Sequence, residues 1–199
     1  VYYGLRRTML MKKNVLFPSI LIFVFILSSY STAQDFYIGV KLGLSQQKTK
    51  FEELEALYAT EYSFVYGFSI GTKLQNFGLE AHYFHSDHHL IPKDEDHPPE
   101  LDIERFKLNV IGANVLYYLP IPVVQPYLSA GMGTYNVNVV GFTKDGRIGY
   151  NLGLGANARL AEFVSISADG KFHLVKFRLN QYEMDLKEFT WYVSVNFHF

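Results

Sequence analysis

The stretch that most constrains this chain is its last nine residues, Trp191-Tyr192-Val193-Ser194-Val195-Asn196-Phe197-His198-Phe199. Trp191, Val193, Val195, Phe197 and Phe199 alternate with Tyr192, Ser194, Asn196 and His198. Period-two alternation is the mark of a strand with one apolar and one polar face. Five large apolar side chains on one terminal strand need a cover. In a water-soluble fold that cover is a second packed layer. In a barrel that sits in a bilayer, lipid does the same work. The rest of the chain discriminates between the two.

The same alternation recurs upstream. Phe36, Ile38, Val40, Leu42 and Leu44 alternate with Tyr37, Gly39, Lys41, Gly43 and Ser45. A polar stretch from Gln46 to Glu61 follows, in which Glu52 to Leu57 suits a short helical turn. Tyr62 to Gly71 and Phe77 to Phe84 read as the second and third strands, joined by a tight turn over Lys73 to Asn76. Ser86 to Asp102 reads as a long polar loop, and its His97-Pro98-Pro99 excludes a central strand there. The fourth strand, about Ile103 to Leu119, carries Phe106, Leu108 and Val110 on one face and Ile111, Ala113, Val115 and Tyr117 on the other. A β-bulge near Val110 would account for that switch. The Pro-rich connection Leu119 to Val124 leads into a fifth strand, about Gln125 to Val139. Lys144-Asp145-Gly146 marks the next turn. Tyr150 to Arg159 and Val164 to Leu174 are the sixth and seventh strands, and a polar loop near Asn180 to Lys187 leads to the eighth.

Eight strands of about 9–11 residues match what a tilted membrane strand needs, and an even count is the rule for bacterial barrels. Connections after strands one, three, five and seven are long or polar, and those after two, four and six are shorter. Membrane barrels alternate their connections in this way, with the short turns in the periplasm. A soluble sandwich or lipocalin-like barrel has no reason to. The expected fold is therefore all-β: an eight-stranded antiparallel up-and-down transmembrane barrel.

Composition agrees. The 199 residues include 15 Tyr, 17 Phe and 15 Gly but no Cys, so disulfides and thiolate metal sites are excluded. The net charge of -1 hides an asymmetry. Residues 1–33 carry only basic charges, Arg6, Arg7, Lys12 and Lys13. Without those four, 14 basic residues face 19 acidic ones, a net of about -5. That sign excludes nucleic acid as a partner, since affinity for it rests on cationic contacts to phosphate. Met11-Lys12-Lys13, the apolar run Val15 to Leu27 and the small residues Ser31 and Ala33 form the pattern of a secretory signal peptide cut between Ala33 and Gln34. The run is shorter than the roughly 20 apolar residues of a spanning helix. Met11 is the better start, so residues 1–10 read as an over-extended gene start. The expected division is 1–33 as that start plus the signal peptide, and 34–199 as the barrel.

With apolar residues outward, the lumen receives Gly, Ser, Asn and a few charges. Gly39, Gly43, Gly67, Gly71, Gly131, Gly133, Gly153 and Gly155 make room there for Tyr37, Phe84 and Tyr127. Lys41, Glu80, His82, Arg159, Asp169 and Lys171 also face inward. Isolated buried charge is costly, so opposite signs should pair. The expected arrangement is a lumenal ion-pair network of Lys41, Glu80, Arg159 and Asp169 that plugs the barrel. Phe36, Tyr37, Tyr62, Tyr83, Tyr117, Tyr118, Trp191, Phe197 and Phe199 lie near strand ends and suit interfacial girdles.

Signals for chemistry are weak. His82, His85, Asp87, His88, His89 and His97 fit no compact metal motif, so no metal site is expected. His85-Ser86-Asp87 has the residue types of a hydrolase triad, but consecutive residues of an extended segment point apart. No catalytic residue and no cofactor is expected. The glycines recur within strands, unlike a phosphate-binding loop.

Certain motifs nevertheless carry a resemblance: the signal peptide, Phe36-Tyr37-Ile38-Gly39-Val40-Lys41-Leu42-Gly43, Val124-Gln125-Pro126-Tyr127-Leu128-Ser129-Ala130-Gly131-Met132-Gly133, Tyr150-Asn151-Leu152-Gly153-Leu154-Gly155 and the Phe199 terminus. Together they resemble the small outer-membrane β-barrel family that includes the OmpA transmembrane domain and OmpX. Trp191, Val193, Val195, Phe197 and Phe199 resemble that family's C-terminal assembly signal. The resemblance implies the outer membrane of a Gram-negative-type bacterium, insertion by the barrel assembly machinery, contact with outer-membrane lipids and lipopolysaccharide, and a monomer whose loops can meet an extracellular partner. The peptidoglycan-binding domain of full-length OmpA has no counterpart after Phe199, so wall anchorage is not expected. Three functions compete. The first is a structural or surface-interaction barrel without catalysis; the second a narrow porin-like channel or small-molecule binding barrel; the third, with least support, an outer-membrane lipid-modifying hydrolase.

Overall fold

The computed structural model describes residues 34–51, 56–60, 62–92, 105–139, 144–179 and 182–199. The proposed signal peptide, Glu52 to Glu55 of the expected helical turn, and His97-Pro98-Pro99 lie outside the described residues. Nine strands form one antiparallel sheet: β1 (Gln34–Phe51), β2 (Ala56–Thr60), β3 (Ser63–Leu74), β4 (Phe77–Pro92), β5 (Arg105–Tyr118), β6 (Val124–Val139), β7 (Lys144–Ala161), β8 (Val164–Leu179) and β9 (Tyr182–His198). Each pairs with its neighbour, and β1 closes on β9 from Tyr37↔His198 to Phe51↔Met184. β2 is not an extra stave. It pairs with the far ends of β1 and β4 and continues the line of β3. The barrel is therefore closed and eight-staved. Ala56 and Leu57, expected in a helical turn, lie in β2.

One irregularity marks the join. Thr60 and Val65 are five residues apart, whereas their partners on β4, Leu90 and Ser86, are four apart. The stave gains one residue there, the signature of a bulge. A second register shift falls between Arg159 and Ala161.

Side chains alternate along every stave, and β3 reads buried–exposed from Ser63 to Ile70. The sense is inside-out relative to a soluble protein. Ile38, Val40, Leu42 and Leu44 on β1 are about half exposed, as are Phe64 and Phe68 on β3 and Leu152 and Leu154 on β7. Trp191, Val193, Val195, Phe197 and Phe199 face the same way. Lys41, Glu80, His82, Asp169 and Lys171 are buried. A soluble monomer rarely exposes a continuous apolar surface beyond a few hundred Å²; here it encircles the molecule, as lipid contact requires.

The fourth predicted strand keeps one parity throughout. β5 holds a constant register with β4 from Phe77↔Tyr117 to His89↔Arg105 and has no bulge at Val110. Leu108 and Val110 point inward and are fully buried, with Tyr135, Val137, Val175, Phe177 and Leu186. The loop-end half of the lumen is thus packed with apolar side chains, and there β5 is apolar on its inward face while its outward Lys107 and Asn109 are polar. Other boundaries move as well: Gln46 to Phe51, expected in a polar stretch, extends β1, and Tyr182 to Lys187, expected in a loop, opens β9. Ser86 to Pro92, expected in a loop, extends β4. Lys144-Asp145-Gly146, expected as a turn, pairs with Asn136 to Asn138. These ladders run on past the length a bilayer needs.

Three connections and both described termini share one end of the barrel, the turn end. Gln75-Asn76 links β3 to β4, with Gln75 at φ 54°, and Glu162-Phe163 links β7 to β8. Leu119 to Val123 links β5 to β6.

Candidate functional site in the barrel lumen

Alternation brings one inward residue per two from each stave into the lumen, and these residues stack in layers. The middle layer holds the charges. Glu80, on β4, accepts hydrogen bonds from Lys41 Nζ at 2.9 and 3.0 Å and from Tyr37 Oη at 3.1 Å. Lys171 Nζ on β8 donates to the same carboxylate at 3.4 Å and lies 3.7 Å from Asp169 Oδ1. Asn114, with its amide oxygen toward Lys171 Nζ at 2.9 Å and His82 Nδ1 at 3.2 Å, donates to Asn151 Oδ1 at 3.0 Å. The Tyr192 ring lies between the two lysines, 5.9 Å from Lys41 Nζ and 5.8 Å from Lys171 Nζ. Two cations and two anions are thus shut away from water together. Desolvating four charges costs several kcal/mol each, which only close pairing offsets.

Two glycines let this layer form. A methyl group on Gly71 would overlap the Tyr37 ring, and one on Gly155 would stand 2.6 Å from both Tyr127 Cζ and Asp169 Cβ. Neither ring could lie flat against the wall over an alanine. Tyr37 and Tyr118 thus point into the lumen, although their place near strand ends suggested an interfacial girdle.

The expected quartet of Lys41, Glu80, Arg159 and Asp169 comes together only in part. Lys41, Glu80 and Asp169 occupy the middle layer. Arg159 does not: it is 46% exposed at the turn end, where its guanidinium pairs with Asp35 Oδ2 and lies 2.7 Å from His198 Nδ1. Its parity suits the lumen but its height does not. Asp169 is opposite Gly155, and Arg159, four residues further on, is opposite Ser165. Lys171 takes the position expected of Arg159. It is two residues from Asp169 on one face, and that spacing is the signal that could have found it.

Toward the loop end the buried polar groups change. His88 Nε2 lies 2.9 Å from Ser86 Oγ, 3.4 Å from Ser45 Oγ and 3.5 Å from Glu188 Oε1. Tyr135 Oη lies 2.7 Å from His173 Nδ1. Ser86, His88 and Glu188 are the residue types of a hydrolytic triad, but serine and carboxylate share one ring nitrogen. A relay needs them on opposite nitrogens, and all three are fully buried. His85 and Asp87 flank Ser86 on the opposite face, and His85 Nδ1 lies 2.8 Å from Asn109 Oδ1. Among the described residues no three His, Asp or Glu side chains are placed to hold a metal ion; of the histidine cluster, His97 lies outside them.

At the turn end the lumen opens as a vestibule of about 200 Å³, lined by Asp35, Tyr37, Lys73, Tyr118, Tyr127 and Arg159 among others, with Glu80 at its inner limit. Beyond Glu80, a void of about 10 Å³ lies between Lys41, His82, Phe84, Lys171 and Tyr192. That is room for roughly one water.

Known proteins share this architecture. A family model described as "Outer membrane protein beta-barrel domain" matches residues 18–199. The solved structure of Neisserial surface protein A superposes with a TM-score of 0.62 at 18% identity, covering 82% of this chain and 97% of that one. Outer membrane protein OprG from Pseudomonas aeruginosa also gives 0.62, at 13% identity, covering 84% and 96%. At such identities the likeness is one of fold. No curated protein matches the sequence.

Proposed function

The chain belongs to the outer membrane protein beta-barrel domain family, and from that premise we propose that it is a non-enzymatic structural or surface-interaction barrel with a lumen plugged by its own side chains. The observation that carries this reading is the middle layer. Glu80 is held by Lys41 and Lys171 within a ring of eight staves, with the vestibule on its turn side and a space for one water beyond it. A hydrated ion would have to break two buried ion pairs to pass. The protein resides in the bacterial outer membrane. Residues 1–33 are removed at Ala33–Gln34, the strand ending at Phe199 addresses the monomer to the barrel assembly machinery, and the loop end faces outward. Lys107 and Lys187, exposed toward that end, meet the phosphates of lipopolysaccharide.

A narrow channel is the second reading, because the vestibule carries water to within one layer of the middle of the barrel. A lipid-modifying hydrolase has least support, since Ser86 and His88 meet inside the lumen and away from lipid.

Planar-bilayer recording of the refolded, signal-free protein tests the plug, with a Glu80→Ala, Asp169→Ala double variant alongside. The unmodified barrel is expected to give no conductance steps and the variant to give small ones. Stable steps from the unmodified protein would make the lumen a pathway and overturn the reading.

A further inference from the structure

The vestibule contains a cation that the plug does not use. Lys73, near the end of β3, is half-buried on its wall. Its Nζ donates to Gln125 Oε1 and stands 4.3 Å from the centroid of the Tyr118 ring. Both partners are neutral. The other turn-end cation, Arg159, is already matched with Asp35, which His198 Nδ1 also approaches at 2.8 Å. Glu80, at the inner limit, is matched with Lys41 and Lys171. Among the described residues, Lys73 is therefore the lining cation that has no carboxylate within ion-pair reach. An amide oxygen and a ring face hold an ammonium in place without neutralising it. Val123 lines the same mouth at φ 72°, in the left-handed region that β-branched residues avoid. Local backbone strain of this kind concentrates at binding sites.

We propose that the turn-end vestibule is a binding site for a small oxyanion, anchored by Lys73. About 200 Å³ is many times the ~10–15 Å³ that one water needs by the same measure, enough for a phosphate or carboxylate group and a few bridging waters. The anion lies against Lys73 and the Gln125 amide, with the Tyr118 ring as one wall. Because the mouth opens on the turn end, which is periplasmic, the anionic group comes either from a soluble periplasmic molecule or from a phospholipid headgroup at the inner leaflet. The site goes beyond the plug and stands whether or not the lumen conducts.

Titration calorimetry on the folded barrel in neutral detergent tests this, with inorganic phosphate and a short-chain phosphatidic acid as probes against chloride at equal ionic strength. The expected result is saturable binding of at least one probe. Phosphate binding assigns the soluble source; binding of phosphatidic acid alone assigns the headgroup. Lys73→Gln should weaken binding about tenfold, the loss expected for one charge-assisted hydrogen bond. Gln125→Glu should do the same while leaving the lysine in place, because it supplies the missing carboxylate; it remains decisive if Lys73→Gln fails to fold. Arg147→Gln, at the other end and paired with Asp145, should change nothing. Failure of both probes to saturate above chloride, or full binding in the folded Gln125→Glu variant, would overturn the proposal.

Discussion

At the scale of single residues, Glu80 is where the electrostatics of the lumen converge. It is 4% exposed and touches two lysines, whereas Asp169 has only a 3.7 Å approach to one of them. Removing the Glu80 charge leaves two buried ammonium groups facing Asp169 alone. Breaking a buried pair by deleting one partner costs about 3–5 kcal/mol. Glu80→Gln should therefore lower stability by about that amount in urea titrations of the barrel in lipid, and Asp169→Asn by clearly less. A Lys41→Met, Glu80→Gln pair should recover part of the loss, since one stranded cation goes with its partner. Equal effects for the two acids would mean that the layer is not organised around Glu80. Alternation alone was enough to place Lys41, Glu80 and Asp169 inside. Lys171 was legible from its spacing to Asp169, but the height of Arg159 was not, because parity repeats every second residue while height depends on how far each stave slides past the next. That slide is set by the closed ring and not by any local pattern.

At the scale of the strands, the outward face decides stability through depth. Leu154 lies six residues up β7 from Leu160, about 15 Å along the membrane normal and near the middle of a ~25 Å band, Leu160 lies beside the turn end, and both point outward at 64% exposure. Equal exposure to a probe hides unequal surroundings: hydrocarbon at the first, headgroups at the second. Leu154→Arg should cost about 2–4 kcal/mol in vesicle-refolded protein, and Leu160→Arg about 0–1. Matching costs would show that the apolar belt is not a membrane band. The strands themselves were legible wherever one face was polar. They were misread where that contrast fails. On β5 the contrast inverts: Leu108 and Val110 pack the lumen behind the outward Lys107 and Asn109, whereas nearer the turn end Ile111 and Val115 face outward, so the apolar side changes face at constant register and imitates a parity switch. On β4 and β7 the segments Ser86 to Pro92 and Lys144 to Gly146 open on polar residues and look like loops, yet they stay paired.

For the whole molecule, the lumen and the belt together fix how the barrel stands in the membrane. The turn end holds a wet vestibule, the middle an ion-pair layer, and the loop end a packed apolar and histidine-rich core. The turn end should lie at one membrane boundary with the long ladders rising past the other. Trp191, the chain's single tryptophan, reports this directly. It faces outward, 56% exposed, with its ring 4.8 Å from Phe189 in a T-shaped pair. It lies eight residues up β9 from Phe199, or about 20 Å along the membrane normal for a strand tilted ~40°. In an apolar band about 25 Å tall, that places the indole within the upper part of the hydrocarbon, close to the far boundary. Its fluorescence should be quenched by brominated lipids, more strongly when the bromines lie near the headgroup than when they lie at the bilayer centre, and hardly at all by iodide in the buffer. Strong iodide quenching without lipid quenching would mean that the apolar face of β9 is not in lipid, and the orientation drawn from the turns and the vestibule would fall with it.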